Sequence, residues 1–197
     1  MRGSTTPPEQ PSRATNALFY LMLALHAVPV LVFRWFPTLD GPGHLYNARI
    51  VRSLMAGDGA IGRFFEVNSF PEPNWLGHAI MAGVMTFAPA HIAEKTVMLL
   101  YVIGLPLAFR FALRHLGSAG WATLLIFPFI YGFTFRVGFL NFSLALPLLL
   151  LSLGMGLGSR ARWPLALVLT ILYFAHLTCF LLAMAVLFGM PVWTAIL

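Results

Sequence analysis

The chain has 197 residues, 59% of them hydrophobic and 9% charged, with a mean hydropathy of +0.84, which is too apolar for a soluble domain with a solvated surface. Twelve Lys and Arg against six Asp and Glu give a net charge of +6; in a membrane protein such an excess sets orientation through the loops, and no nucleic-acid partner is expected. The single cysteine, Cys179, lies in an apolar run, which excludes an intramolecular disulfide and a thiolate metal cluster.

Residues 1–15, "MRGSTTPPEQPSRAT", are polar and Pro-rich and read as a disordered cytoplasmic arm, with residues 16–197 as a single transmembrane helical domain. The apolar run from Ala17 to Phe33 is longer than a signal h-region and leads into "RWFP" rather than a cleavage site, so it reads as a retained first span. Residues 37–91 then form a long first outer loop. Its "FPTLDGPGHLYNARIVRSL" stretch breaks the first helix at Gly41, Pro42 and Gly43, and Pro suits the first turn of a new helix. Leu45, Ile50, Val51, Leu54 and Met55 recur at three- and four-residue steps among His44, Asn47, Arg49 and Arg52, predicting a helix along the membrane surface. Asp40 would stand at its N-terminus, where a carboxylate is favoured, and His44 about one turn further on. The second part of the loop, "FFEVNSFPEPNWLGH", brings Glu66, Glu72, Asn74, Trp75 and His78, and Trp75 offers a flat face to a sugar or a lipid headgroup.

The segment 76–90 carries His78, ends at Pro89 and falls short of the roughly 20 residues a span needs. If it lies in the interface, Arg110, Arg114, Arg160 and Arg162 all fall on the side of the N-terminal arm, as the positive-inside tendency asks. The remaining spans are expected at 92–113, 119–135, 139–158 and 164–190. The expected fold class is therefore an all-α integral membrane protein of the cell (inner) membrane, with about five transmembrane helices, interfacial helices on the first outer loop, and a cytoplasmic N-terminus. The last residues, "PVWTAIL", are still apolar, so the sequence reads as truncated at its C-terminus.

Several polar residues have plain structural explanations. Asp before a helix is a common cap, Arg136 can be a snorkelling anchor, and the Glu94–Lys95 pair can fix the depth of the second span. His176, inside the expected last span, is read as a neutral histidine hydrogen-bonded between helices.

A short N-terminal arm, one span, an acidic residue just past it, a surface helix, the "PEPNWLGH" approach and tightly spaced spans resemble the N-terminal part of the GT-C membrane glycosyltransferases, of the protein mannosyltransferase and aminoarabinose transferase type. The resemblance implies transfer of a sugar from a polyprenyl-phosphate carrier to an acceptor on the outer face, with membrane lipid and the lipid-linked donor as partners. It makes Asp40 the catalytic residue, as base or acceptor anchor, with His44, Glu72, Trp75, Arg136 and Asn141 as substrate-binding candidates. Gly41 stands where many of these transferases carry a Glu, and no second acidic ligand supports the divalent metal that some members use. The alternative is a non-catalytic multi-span protein, either a transporter piece or a lipid-binding partner subunit.

Overall fold

A computed structural model describes residues 11–68, 70–118, 120–158 and 162–196, the side chains at 158 and 190–196 excepted. Among the described residues the regular structure is helical and no strand is present. Three helices are long and apolar enough to cross a membrane. They are α1 (Arg13–Val32), α4 (Ala90–His115) and α6 (Leu140–Gly158), the last counted to Leu157.

Helix α1 starts where the Ser12 hydroxyl accepts the Thr15 N–H at 3.0 Å, an N-cap that meets one of the donors a helix start leaves unpaired. It ends before Arg34, and Lys95 Nζ donates to the Leu31 carbonyl at 2.7 Å, closing one of the last open acceptors. Helix α4 is antiparallel to α1: Lys95 meets the end of α1, and Arg110 near the other end of α4 donates to Asn16 near its beginning. Helix α6 runs parallel to α4 and packs on it through small residues. The Gly104 Cα faces Pro147, and Gly154 lies against Ala112 and Phe111, so the two backbones approach closely.

A parallel neighbour needs a return path, and residues 121–137 supply it. The expected span at 119–135 is not a single α-helix. It is a 3-10 helix (Trp121–Phe129) followed by the five-residue α5 (Phe133–Val137). Pro128 removes a backbone donor and would collide with the preceding turn of an α-helix. A 3-10 helix rises about 2 Å per residue, so the segment covers more distance for its length. Its irregular backbone is satisfied from neighbours: Tyr101 donates its hydroxyl to the Ile130 carbonyl at 2.8 Å. Non-helical backbone at this depth is tolerated where protein surrounds it, and Phe127, Ile130 and Phe135 are all buried.

The expected span at 164–190 also differs. It is two helices, α7 (Arg162–Ala175) and α8 (Leu177–Ile196), with His176 between them. Cys179 and Ala183 pack with Ala145 and Leu149, and Leu187 lies against Gly156. Helix α8 thus runs in the direction of α6, and α7 runs against it, making a hairpin whose tip is His176. The cause is a diverted acceptor. The Phe174 carbonyl takes the Trp75 N–H at 2.8 Å, while His176 N–H closes α7 on Leu172 and the His176 carbonyl opens α8 by accepting from Phe180.

Two short helices close one end of the bundle: α2 (Gly41–Met55) and α3 (Leu76–Val84). Nine residues of α3 extend only about 14 Å, well short of a bilayer core of about 30 Å. Both fall in the stretch expected to be the outer loop. Residues 1–10 of the expected arm lie outside the described residues, and helix α1 already begins at Arg13, inside the expected 1–15 boundary.

Candidate functional site

Asp40 is the N-cap residue of α2, but its carboxylate makes no capping bond and is exposed. Its position is fixed through the backbone. The Asp40 N–H donates to the Val137 carbonyl at 2.8 Å, and the Asp40 carbonyl accepts from the His44 N–H at 3.1 Å. The close approach depends on Gly138, which has φ of 95°; a Cβ there would lie 2.9 Å from the nitrogens of both Asp40 and Gly41. The capping explanation for Asp40 therefore accounts for its place in the chain but leaves its carboxylate uncommitted.

His44, in the first turn of α2, meets His78, in the first turn of α3, with Nδ1 to Nε2 at 2.9 Å and ring centroids 5.0 Å apart. The Gly138 backbone near His44 and the Asn74 backbone near His78 favour the protonated rings. The Nδ1–Nε2 contact needs one hydrogen between the two rings, so one of these nitrogens donates and the other accepts. Burial lowers the pKa of His44, against which the Asp40 carboxylate and the Gly138 backbone act; burial also lowers that of His78, and the neighbouring His44 lowers it further. The pair takes one proton on acidification and cannot take a second without setting two N–H groups against each other.

These rings line a cavity of about 620 Å³ together with Asn74, Thr134, Phe139, Asn141, Phe142, His176 and Thr178. The first turns of α6 and α8 both open onto it, presenting helix N-termini that favour negative charge. Asn141 is 5% exposed and ties the walls together. Its Oδ1 accepts the Gly77 N–H at 2.7 Å, and its Nδ2 donates to the Asn74 carbonyl at 2.6 Å. Asn74 holds φ of 64°, a left-handed conformation that Asn tolerates better than most residues.

The structure thus brings His44 and Asn141 to one cavity, with Asp40 one helical turn from His44. Glu72 and Trp75 line a separate cavity of about 360 Å³ against Ile171 and Phe174, where Glu72 Oε1 accepts from Asn68 Nδ2 at 2.6 Å, and Trp75 also lines one of about 290 Å³ with Asn74 and His78. Arg136 is exposed on α5, one residue before the carbonyl that holds Asp40, and lines none of these cavities. Lys95, expected with Glu94 to fix the depth of the second span, is bonded to the end of α1.

Three residues carry more than the sequence assigned to them. His78 is the direct partner of His44, and the common signal is a histidine in the first turn of each surface helix. His176, expected to bridge helices, stands at the hairpin tip with Nδ1 buried and without a hydrogen-bond partner, its ring edge-on to Phe142 at 5.1 Å. Glu94, expected to mark a boundary, is 3% exposed, with Oε2 unpartnered.

The donor set does not suit a metal. Among the described residues no group of three or more His, Cys, Asp or Glu is arranged to hold one. His44 Nδ1 and His78 Nε2 are directed at each other. No family model, no curated protein and no solved structure matches the chain.

Proposed function

We propose that the chain is a GT-C-like glycosyltransferase, or the N-terminal part of one, which moves a sugar from a polyprenyl-phosphate carrier to an acceptor on the outer face of the membrane. The observation that carries this reading is an uncommitted carboxylate at Asp40, held by backbone bonds one helical turn from a cavity that His44, His78 and Asn141 help line, at the end of a bundle of apolar helices. A carboxylate at a water–lipid boundary can accept the proton of an acceptor hydroxyl or orient it. The leaving phosphate needs positive potential, which the first turns of α6 and α8 would supply. Asn141 acts as a positioning residue, because it fixes the wall that holds His78. No step is routed through a metal.

The test is a transfer assay with a polyprenyl-phosphate sugar in lipid nanodiscs. Asp40→Asn is expected to keep folding and donor binding and to lower transfer by about 10²–10⁴, the usual contribution of a general base. Absence of both donor binding and transfer in the folded wild-type chain would overturn the reading. Among the described residues no carboxylate, Asp40 included, lines the His44–His78 cavity, and this favours the alternative of a non-catalytic lipid-binding subunit. That alternative predicts donor binding without transfer in wild type and Asp40→Asn alike.

A further inference from the structure

A second cavity, of about 650 Å³, lies on the other side of the Asp40 segment, between α2 and the first turns of α4, and Trp35, Thr38, Tyr46, Arg49 and Glu94 contribute to its lining. Two polar groups in its wall lack partners: Glu94 Oε2 and Thr38 Oγ1 are both buried and make no hydrogen bond. A buried carboxyl or hydroxyl without a partner costs free energy, so groups left in this state next to a cavity point to a ligand that completes them.

The same two groups explain Gly41. A Cβ at that position would collide with Thr38 Oγ1 and lie 2.7 Å from Glu94 Oε1. The space that a side chain at 41 would occupy is taken by a carboxyl from α4 and a hydroxyl from the linker. By contrast, a Cβ at Gly43 meets nothing within 4 Å, so the constraint is specific to the first residue of the helix.

The charge of the occupant follows from its neighbours. Glu94 disfavours an anion and Arg49 disfavours a cation, since both line the same space. A ligand of no net charge is therefore favoured, and one bearing several hydroxyls matches the unpartnered oxygens of Glu94 and Thr38. Adjacent hydroxyls of a sugar ring can donate to Glu94 and exchange bonds with Thr38, while Trp35 and Tyr46 offer faces for its C–H surface.

We propose that this cavity is a binding site for an uncharged, polyhydroxylated ring, with Glu94 and Thr38 as its hydrogen-bonding floor and Trp35 and Tyr46 as its walls. The inference deepens the glycosyltransferase reading by giving the sugar a place beside Asp40. Its recognition chemistry stands without that reading.

The protein is labelled with 5-fluorotryptophan in lipid nanodiscs, and the Trp35 fluorine resonance is assigned with Trp35→Phe. The probes are n-octyl β-D-glucopyranoside, methyl β-D-glucopyranoside, and tetraethylene glycol monooctyl ether as a hydroxyl-poor control. Saturable movement of the Trp35 resonance by a glycoside but not by the ether is expected. A response to the methyl glycoside marks a free sugar, whereas one confined to the octyl glycoside marks a lipid-linked sugar. Gly41→Ala is expected to weaken binding at least ten-fold and Gly43→Ala to leave it unchanged. Glu94→Gln, which keeps the shape, is expected to weaken it about five-fold and keeps the test decisive if Gly41→Ala fails to fold. Equal responses to glycoside and ether, no response to any probe, or wild-type affinity in Glu94→Gln would overturn the proposal. Because the readout is binding at Trp35, loss of sugar transfer in the separate assay does not bear on it.

Discussion

Asn141 holds three parts of the chain in place, and the consequence of removing it can be worked from its bonds. Its carboxamide is buried, with Oδ1 accepting from Gly77 at 2.7 Å and Nδ2 donating to Asn74 at 2.6 Å. Asn141→Ala leaves the Gly77 N–H without an acceptor, at about 1–3 kcal/mol for a buried orphan. The bond to the Asn74 carbonyl is part-buried, so the second loss is a net hydrogen bond of about 1 kcal/mol. The total is about 2–4 kcal/mol. Asn141→Asp separates geometry from bonding: it retains the acceptor for Gly77 but sets a carboxylate oxygen against the Asn74 carbonyl. It should therefore be no more stable than Asn141→Ala. Unfolding in mixed micelles with increasing SDS, followed by tryptophan fluorescence, measures both. An Asn141→Ala protein within about 0.5 kcal/mol of wild type, or an Asn141→Asp protein more stable than Asn141→Ala, would refute the assigned bonds.

Asn74 at φ of 64° should accept glycine without loss, whereas Asn74→Ala should cost about 1 kcal/mol, and the same SDS titration ranks the two. The His44–His78 pair binds protons less readily when folded than when unfolded, so its contribution to stability is present above the ordinary 6.5 and declines as pH falls below it. Unfolding at pH 7.5 and pH 5.5, a span of about two units around that value, should show a steeper loss for wild type than for His44→Gln/His78→Gln; parallel losses would contradict the buried pair. The α7–α8 hairpin puts Gly158 and Gly189 at the same end of the bundle. Reporter fusions after these residues should give the same side of the membrane, whereas a single span over 164–190 would give opposite sides.

Helical character, the first helix and the two surface helices could be read from periodicity, because each is decided by local pattern: the apolar run of α1, the Gly-Pro-Gly start of α2, and the short length before Pro89. The tip at His176 could not. "LYFAHLTCF" holds no Gly or Pro, and the turn arises from a carbonyl that leaves its own helix for Trp75, about a hundred residues away in sequence. Pro128 did signal a break in the return segment, but a 3-10 path has the same hydropathy as an α-helical span, and hydropathy alone does not separate them. In the site, His44 and Asn141 were visible as polar residues near the ends of apolar runs. Their pairing with His78 and Gly77 required the folded contacts of α2, α3 and α6. Glu94 was visible only as a charge at a helix start, since burial depends on the linker that folds over it.

The polar groups at this end of the bundle divide by what they are bonded to. Tyr101 and Asn141 each complete a backbone group that would otherwise be buried unpaired, and Lys95 closes an exposed carbonyl at the end of α1, which is sufficient reason for a hydrophobic chain to keep them. Asp40, Glu94, Thr38 and His176 do not close the structure in that way. The Asp40 carboxylate leaves its helix uncapped, and the other three retain buried atoms without partners. Replacing any of these three with an apolar residue of similar size would remove a desolvation cost, so the fold alone gives no reason for their polarity. Asp40 lines neither cavity but stands in the chain between Thr38, which lines one, and His44, which lines the other. A carboxylate held through its backbone keeps its oxygens free for a ligand, and the Val137–Asp40 bond and the close approach at Gly138 hold it so.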